Sequence, residues 1–280
     1  LGVFAESEVW PNLILTAKDR GVPMALVNAR MSAKSLAAFA RHRASARTLF
    51  AAFATVLAAD ARTAAGLGQI LGTAPPSPGN LKLAAPAPHV DAAAAALLTA
   101  GIGDRPVWCA ASTHPGEDEL VLAAHSALRA TTPNALLLLA PRHPERGDQV
   151  ATLSDNAPQR SKGALPRPDH PVYVYDTMGE LDLCYAACPV ALVCGSLLPE
   201  LKGHNPIEPA QAGSAILTGP HVDSFADIYA GFDAVGAVRW TDSPADIAAA
   251  VTGLWAEPSQ REAMTSAARR AVQDGQPALE

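Results

Sequence analysis

Short, continuously apolar runs alternate with longer stretches of helical periodicity along this chain, and that alternation limits its fold more than any other feature. The apolar runs fall at 1–5, 23–28, 55–59, 106–111, 134–140, 171–175, 189–194, 214–218 and 236–240. Runs such as NALLLLA (134–140) and PVALVC (189–194) show no polar alternation, the mark of strands covered on both faces. Helical patterns lie between them at 11–20, 32–52, 60–71, 91–102, 116–130, 144–154, 179–188, 206–213 and 244–273. Strand–helix alternation of this kind predicts an α/β fold with parallel sheets.

A stiff connector interrupts the pattern. Residues 73–90 hold five prolines, Pro75, Pro76, Pro78, Pro86 and Pro88. We expect a first lobe at 1–82, a proline-rich linker at 83–90 and a second lobe at 91–280. A length of 280 residues agrees with two domains. The first lobe has only three clear strands, and the chain opens at Leu1 inside one of them. We therefore expect a fragment whose N-terminal lobe is incomplete. Nothing at the N-terminus reads as a signal or transit peptide.

Composition excludes several classes of function. Hydrophobic residues make up 49% of the chain, enough for real cores and too many for wholesale disorder. A formal charge of −6 is a poor match for nucleic acid. No apolar run is long enough to span a bilayer. Cys109, Cys184, Cys188 and Cys194 sit in apolar runs without C-x-x-C spacing, and are expected to be buried reduced thiols. No pair of histidines has metal-site spacing, so no metal and no cofactor are expected. The chain lacks G-x-G-x-x-G, P-loop and G-x-S-x-G motifs, which weighs against a dinucleotide oxidoreductase, an NTPase and a serine hydrolase.

Polar residues gather where chemistry belongs. Ligands of open parallel sheets bind outside the carboxyl ends of the strands. Five consecutive strands of the second lobe are followed by such residues. They are Ser112-Thr113-His114; Pro141-Arg142-His143; Asp176 to Glu180; Gly195-Ser196 with Lys202 to Glu208; and Gly219-Pro220-His221. An anionic, polar ligand is implied. Arg142 offers a bidentate fork to a phosphate, or is a plain loop arginine. Asp176 or Thr177 could cap a helix beginning near Gly179, leaving its N–H groups for a phosphate. Glu208 could accept two hydrogen bonds from a ribose diol, or simply complement a helix N-terminus. His114, His143, His204 and His221 are phosphate donors or ordinary loop residues.

At these residues the sequence resembles the 3-deoxy-D-manno-octulosonic acid (Kdo) transferases of Gram-negative bacteria. The blocks ESEVWPNL (6–13), VNARMS (27–32), GNLK (79–82), AASTHPGEDELVL (110–122), PRHPER (141–146), DTMGEL (176–181) and GHNPIEPA (203–210) occur in this order. The resemblance implies a GT-B fold, with two Rossmann-like lobes and the active site in the cleft between them. It implies transfer of Kdo from CMP-Kdo to a lipid A precursor, with inversion, in lipopolysaccharide core biosynthesis. The setting would be the cytoplasmic face of the inner membrane, with no nucleic-acid partner. Nucleotide contacts would come from Pro141, Arg142, Met178, Gly179, Glu180, Asn205, Pro206, Ile207 and Glu208. Candidate phosphate or sugar contacts are Ser112, Thr113, His114, Lys202, Gly203 and His204. Glu6, Arg30 and Ser32 are candidates on the acceptor side.

Two departures from the family pattern bear on activity. The catalytic base and membrane anchor of the family would lie upstream of Leu1, and no residue here matches the base; Glu6 and Glu8 belong to a later block. Lys202 stands where a glycine is usual. From Arg30 to Arg47 five basic residues (Arg30, Lys34, Arg41, Arg43, Arg47) and no acidic one could face lipid phosphates or an anionic membrane. The alternatives are a CMP-binding module without catalysis and another nucleotide-sugar enzyme on the same superfold, such as an epimerase.

Overall fold

The computed structural model describes residues 1–83 and 90–274. These fall into two compact units, 1–83 with 273–274, and 90–272. The linker expected at 83–90 lies, at 84–89, outside the described residues.

The first unit runs β1 (Gly2–Ala5), α1 (Pro11–Asp19), β2 (Met24–Ala29), α2 (Ala33–Arg41), α3 (Arg43–Phe50), β3 (Thr55–Ala58) and α4 (Ala61–Leu71). Its sheet is parallel in the order β1-β2-β3. Ile14, Met24, Leu26, Phe50, Leu67 and Ile70 form its core. Helix starts are set by short polar side chains. Ser32 accepts the Ser35 N–H at 3.0 Å and Asp60 accepts the Thr63 N–H at 2.7 Å. Gly72, at φ +94°, ends α4 in the left-handed conformation that glycine adopts without strain.

The second unit runs α5 (Ala92–Ile102), β4 (Val107–Thr113), α6 (Glu117–Arg129), β5 (Leu136–Pro141), α7 (Gly147–Leu153), β6 (Val172–Val174), α8 (Leu181–Ala187) and β7 (Val190–Val193). It continues α9 (Ile207–Ala212), β8 (Ala215–Thr218), α10 (Ala226–Ala234), β9 (Val238–Trp240), α11 (Pro244–Ala256) and α12 (Pro258–Asp274). The six strands are parallel in the order β6-β5-β4-β7-β8-β9. This is the Rossmann order, and it reverses direction between β4 and β7.

Period-two alternation divides the core into two layers. Trp108, Ala110, Leu137 and Leu139 face one side with Val121 of α6 and Val251 and Leu254 of α11. Cys109, Ala111, Leu136 and Leu138 face the other with Leu98 of α5 and Leu183 and Tyr185 of α8. Leu136, Leu137, Leu138 and Leu139 are all fully buried. Each is worth about 1.5–3 kcal/mol relative to exposure, which is why a run with no polar alternation is stable here and nowhere else.

All nine expected strands form, and the helices differ in four places. The 32–52 helix is broken at His42, whose φ/ψ of −114°/46° is not helical. The break lets α3 bury Ala46, Leu49 and Phe50 while α2 stays at the surface. The 244–273 helix is broken at Glu257, because proline at 258 disfavours the helical conformation of the residue before it. The 144–154 stretch begins as a 3₁₀ turn over Pro144–Arg146. Helix α10 was not expected at all. Among the described residues no helix is long and apolar enough to cross a membrane.

Candidate functional site

Two loops meet at the switch point of the second sheet, and a buried carboxylate ties them. Glu117 opens α6 and has no solvent exposure. Its Oε2 accepts the N–H of His114 at 3.1 Å and of Gly195 at 2.8 Å. Its Oε1 accepts the N–H of Ser196 and of Leu197, each at 3.0 Å. One side chain thus holds the turn after β4 against the turn after β7 with four charge-assisted bonds. Beside it, Asp118 is equally buried and pairs with Arg146, whose Nη1 also donates to the Thr113 carbonyl at 3.1 Å.

Two histidines close the turn. His114 and His204 stack at 5.1 Å with an interplanar angle of 10°, and their Nε2 atoms are 2.8 Å apart. His143 meets His114 edge-on at 5.9 Å. Burial pushes His204 down to about 4, and His114, Arg142 and His143 add to the effect. Burial also lowers His114, against an opposing pull from Glu117. Both imidazoles are therefore neutral near pH 7, and a bound anion would raise them. Glycine is required twice here. Gly195, at φ +71°, would place a Cβ 2.3 Å from the His204 ring, and Gly203, at φ +85°, would place one 2.7 Å from Val222 Cα.

Alongside lies a pocket of about 290 Å³ at the ends of β4, β5 and β6. Ser112, Pro141, Arg142, Tyr175, Met178, Gly179, Asp182 and Glu208 are among its lining residues. No side chain among the described residues pairs with the Arg142 guanidinium, which is exposed. The carboxyl groups of Asp182 and Glu208 line the same pocket. Burial raises both; Asp182 raises Glu208 further, while Asn205 and Arg142 pull it back. A cation and two carboxyl groups lining one pocket suit a ligand with an anionic end and a hydrogen-bond-donating end. Ser112 holds φ +64°, an uncommon conformation for serine that clusters at functional sites.

Of the expected nucleotide residues, the fold gathers Pro141, Arg142, Met178, Gly179 and Glu208 in this pocket. Asn205 stands behind it. Its Nδ2 donates to Glu208 Oε1 at 3.1 Å and its Oδ1 accepts the Ile207 N–H at 3.1 Å, so it orients Glu208. Pro206 and Ile207 are buried in the first turn of α9. Glu180 turns away, bound twice at 2.7 Å by Arg160, which lies over the Tyr175 ring at 5.0 Å. Thr113 is buried with its hydroxyl unpartnered, and Lys202 is exposed at φ +62°.

The helix cap expected of Asp176 does not form. Asp176 is buried and accepts the Ser161 N–H at 2.9 Å, the Ser161 hydroxyl at 2.6 Å and the Gln159 amide at 3.1 Å. The helix begins later, at Leu181, without a side-chain cap. Thr177 lines the pocket instead.

In the first unit, Glu6 pairs with Lys82 at 3.0 Å and Ser32 is the cap of α2. Arg30 is half-buried at the end of β2, while Lys34, Arg41, Arg43 and Arg47 are exposed on α2 and α3.

Glu117 and Asp182 were missed from sequence. Glu117 carried a signal, an acidic residue directly after the His-Pro-Gly turn of a strand end. Asp182 has no comparable signal, because acidic residues are common in the first turn of a helix.

Comparison with known proteins follows the same division. Residues 1–85 match the family model described as 3-deoxy-D-manno-octulosonic-acid transferase (kdotransferase). A 3-deoxy-D-manno-octulosonic acid transferase of Haemophilus influenzae is 35% identical over all of this chain and 67% of its own length. One from Bordetella pertussis is 40% identical over 96% of this chain and 64% of its own. The chain thus spans about two thirds of these relatives. The solved C-terminal CMP-Kdo binding domain of WaaA from Acinetobacter baumannii is 30% identical, with a TM-score of 0.61 over 65% of this chain and 97% of that domain. HepE from Anabaena, solved with UDP, shares the fold at 14% identity, with a TM-score of 0.61 over 99% of this chain and 75% of its own.

Proposed function

Because this chain belongs to the 3-deoxy-D-manno-octulosonic acid transferase family, we propose that it acts in transfer of Kdo from CMP-Kdo to a lipid A precursor, with inversion. The second unit holds the CMP moiety. The observation that carries this is the pocket itself, which Arg142, Asp182 and Glu208 line at the strand ends of a Rossmann-ordered sheet. The similarity of that unit to a CMP-Kdo binding domain supports it.

In this reading the Arg142 guanidinium binds the phosphate as a planar fork. Glu208, held by Asn205, accepts hydrogen bonds from the ribose diol. Asp182 accepts from a further donor of the nucleoside. His114 and His204, clamped through Glu117, offer an imidazole N–H near the phosphate and the sugar.

Transfer then consists of attack by an acceptor hydroxyl on the anomeric carbon. The bond from that carbon to the phosphate oxygen breaks, and CMP departs with both electrons. Arg142 stabilises the charge gathering on the phosphate. The hydroxyl proton passes to a base that we do not assign among the described residues. The exposed cations of α2 and α3 suit the phosphates of lipid A at the cytoplasmic face of the inner membrane.

The test is CMP affinity in two variants. Arg142→Ala should weaken binding by about 1.5–3 kcal/mol, the scale of a charge-assisted hydrogen bond. Glu208→Gln, which keeps one acceptor, should cost less. Unchanged affinity in both variants would remove this pocket from the nucleotide site. A second reading, a module that binds CMP without transfer, draws on the same neighbour, which is described by binding alone. CMP binding without Kdo transfer to a lipid A precursor would favour it.

A further inference from the structure

Three cysteines that the sequence separates come together in one core layer of the second unit. Cys109 lies within β4. Cys184 is on α8 and Cys188 directly follows that helix, one turn later. Their sulfurs lie within 4.8 Å of one another, and all three side chains are buried as free thiols. Cys194, the remaining cysteine, belongs to the core layer on the other face of the sheet.

The surroundings narrow what such a cluster could hold. The core around it is built from aliphatic and tyrosine side chains, among them Leu138, Ala140, Tyr173, Tyr175, Leu183 and Ala191. The cluster includes no histidine and no carboxylate. Hard cations such as Mg²⁺ and Ca²⁺ require oxygen ligands, which this set does not supply. A structural zinc site requires four donors, and three are present. Charge decides among the soft ions. Three thiolates carry three negative charges, and a net charge left in an apolar interior is costly. Only a trivalent ion makes the three-sulfur complex neutral.

We propose that Cys109, Cys184 and Cys188 form a three-sulfur binding site for a soft, thiophilic trivalent ion of the arsenic class. The reaction balances without an oxidant or reductant. Arsenous acid loses its three As–O bonds, three S–H bonds break, three As–S bonds form and three waters leave. The product is pyramidal and neutral, and it links β4 to α8, whose first turn lines the pocket through Leu181 and Asp182. Entry requires only that the seven-residue α8 open transiently from the sheet.

The experiment adds arsenite to the full reduced chain and measures its intact mass under native conditions. The expected result is a gain of one arsenic less three protons. Cys109→Ala, Cys184→Ala and Cys188→Ala should each lower retention at least tenfold, and Cys194→Ala should leave it unchanged. Failure to retain arsenic, or full retention in the Cys109→Ala protein, would overturn the site. X-ray absorption at the arsenic edge of the wild-type adduct needs no variant. Three sulfur neighbours and no oxygen are expected, and an oxygen neighbour would contradict a three-thiol site.

Discussion

The two units spend their polar strand-end residues differently. In the first unit most are helix caps, and each longer-range contact is a single bond, as where Asn28 accepts the Leu81 N–H at 3.1 Å and Thr63 the Met31 N–H at 3.2 Å. Ser32 caps α2, Asp60 caps α4 and Glu6 pairs with Lys82. In the second unit single side chains gather several bonds, most of them from other elements. Glu117 reaches loops some eighty residues away, Asp176 binds residues 159 and 161, and Asn205 orients Glu208. Local caps fix where helices start. Long-range buried bonds fix where loops stand, and they leave Arg142, Asp182 and Glu208 around a pocket. A site needs the second kind of bonding, because loop positions are otherwise loosely determined.

The sharpest way to break this comparison is to remove the clamp. Glu117→Ala should cost about 3–5 kcal/mol in urea unfolding, since buried N–H groups lose a charged acceptor. Glu6→Ala should cost less than about 1 kcal/mol, as its ion pair with Lys82 is partly exposed. Equal costs would show that the two units do not differ.

Acid provides the next contrast. His125 is buried, accepts from Trp108 Nε1 at 3.1 Å and bonds the Pro171 carbonyl at 2.9 Å. Burial lowers it to about 4 from 6.5, and His204 is lowered to about 4 as well. Both groups bind protons more tightly when unfolded. Their contribution is therefore fully present above about pH 6.5 and is lost as pH falls towards 4. The loss should approach about 3 kcal/mol for the deeply buried His125 and be smaller for His204, whose charge water partly screens. Unfolding monitored by a second-unit tryptophan should show it, and His125→Gln should flatten part of it.

Glycine substitutions give a smaller effect. Gly203→Ala meets both a positive φ and the Val222 backbone, whereas Gly21→Ala, at φ +66°, meets open space. The second should cost about 1 kcal/mol, and the first about 2–3 kcal/mol together with weaker ligand binding. Smallest of all, Ser32→Ala should cost about 1 kcal/mol or less, with no effect on nucleotide affinity.

Much of this architecture was legible in the sequence because strands buried on both faces must be continuously apolar. Leu136 to Leu139 and Val190 to Val193 announce themselves that way. Helix α10 was not legible. Its buried residues Ile228, Tyr229 and Phe232 are few, Gly231 interrupts them, and no side-chain cap marks its start. The strand ends were legible as a place but not as roles. Asp176 and Arg142 follow neighbouring strands and look equivalent on paper. One turns inward to brace residues 159–161 and the other stays at the pocket wall, and only packing separates them. Glu180 shows the same limit, since its partner Arg160 opens a short 3₁₀ turn twenty residues upstream, with no local signal. The three-cysteine cluster was illegible because β4 and α8 are brought together only by the fold.

The most direct test of the pocket is a calorimetric titration of this chain with CMP, and with UMP as control. The account predicts saturable CMP binding in the micromolar to millimolar range with UMP weaker. No CMP binding to a chain shown by circular dichroism to be folded, or UMP binding at least as tight as CMP, would contradict it.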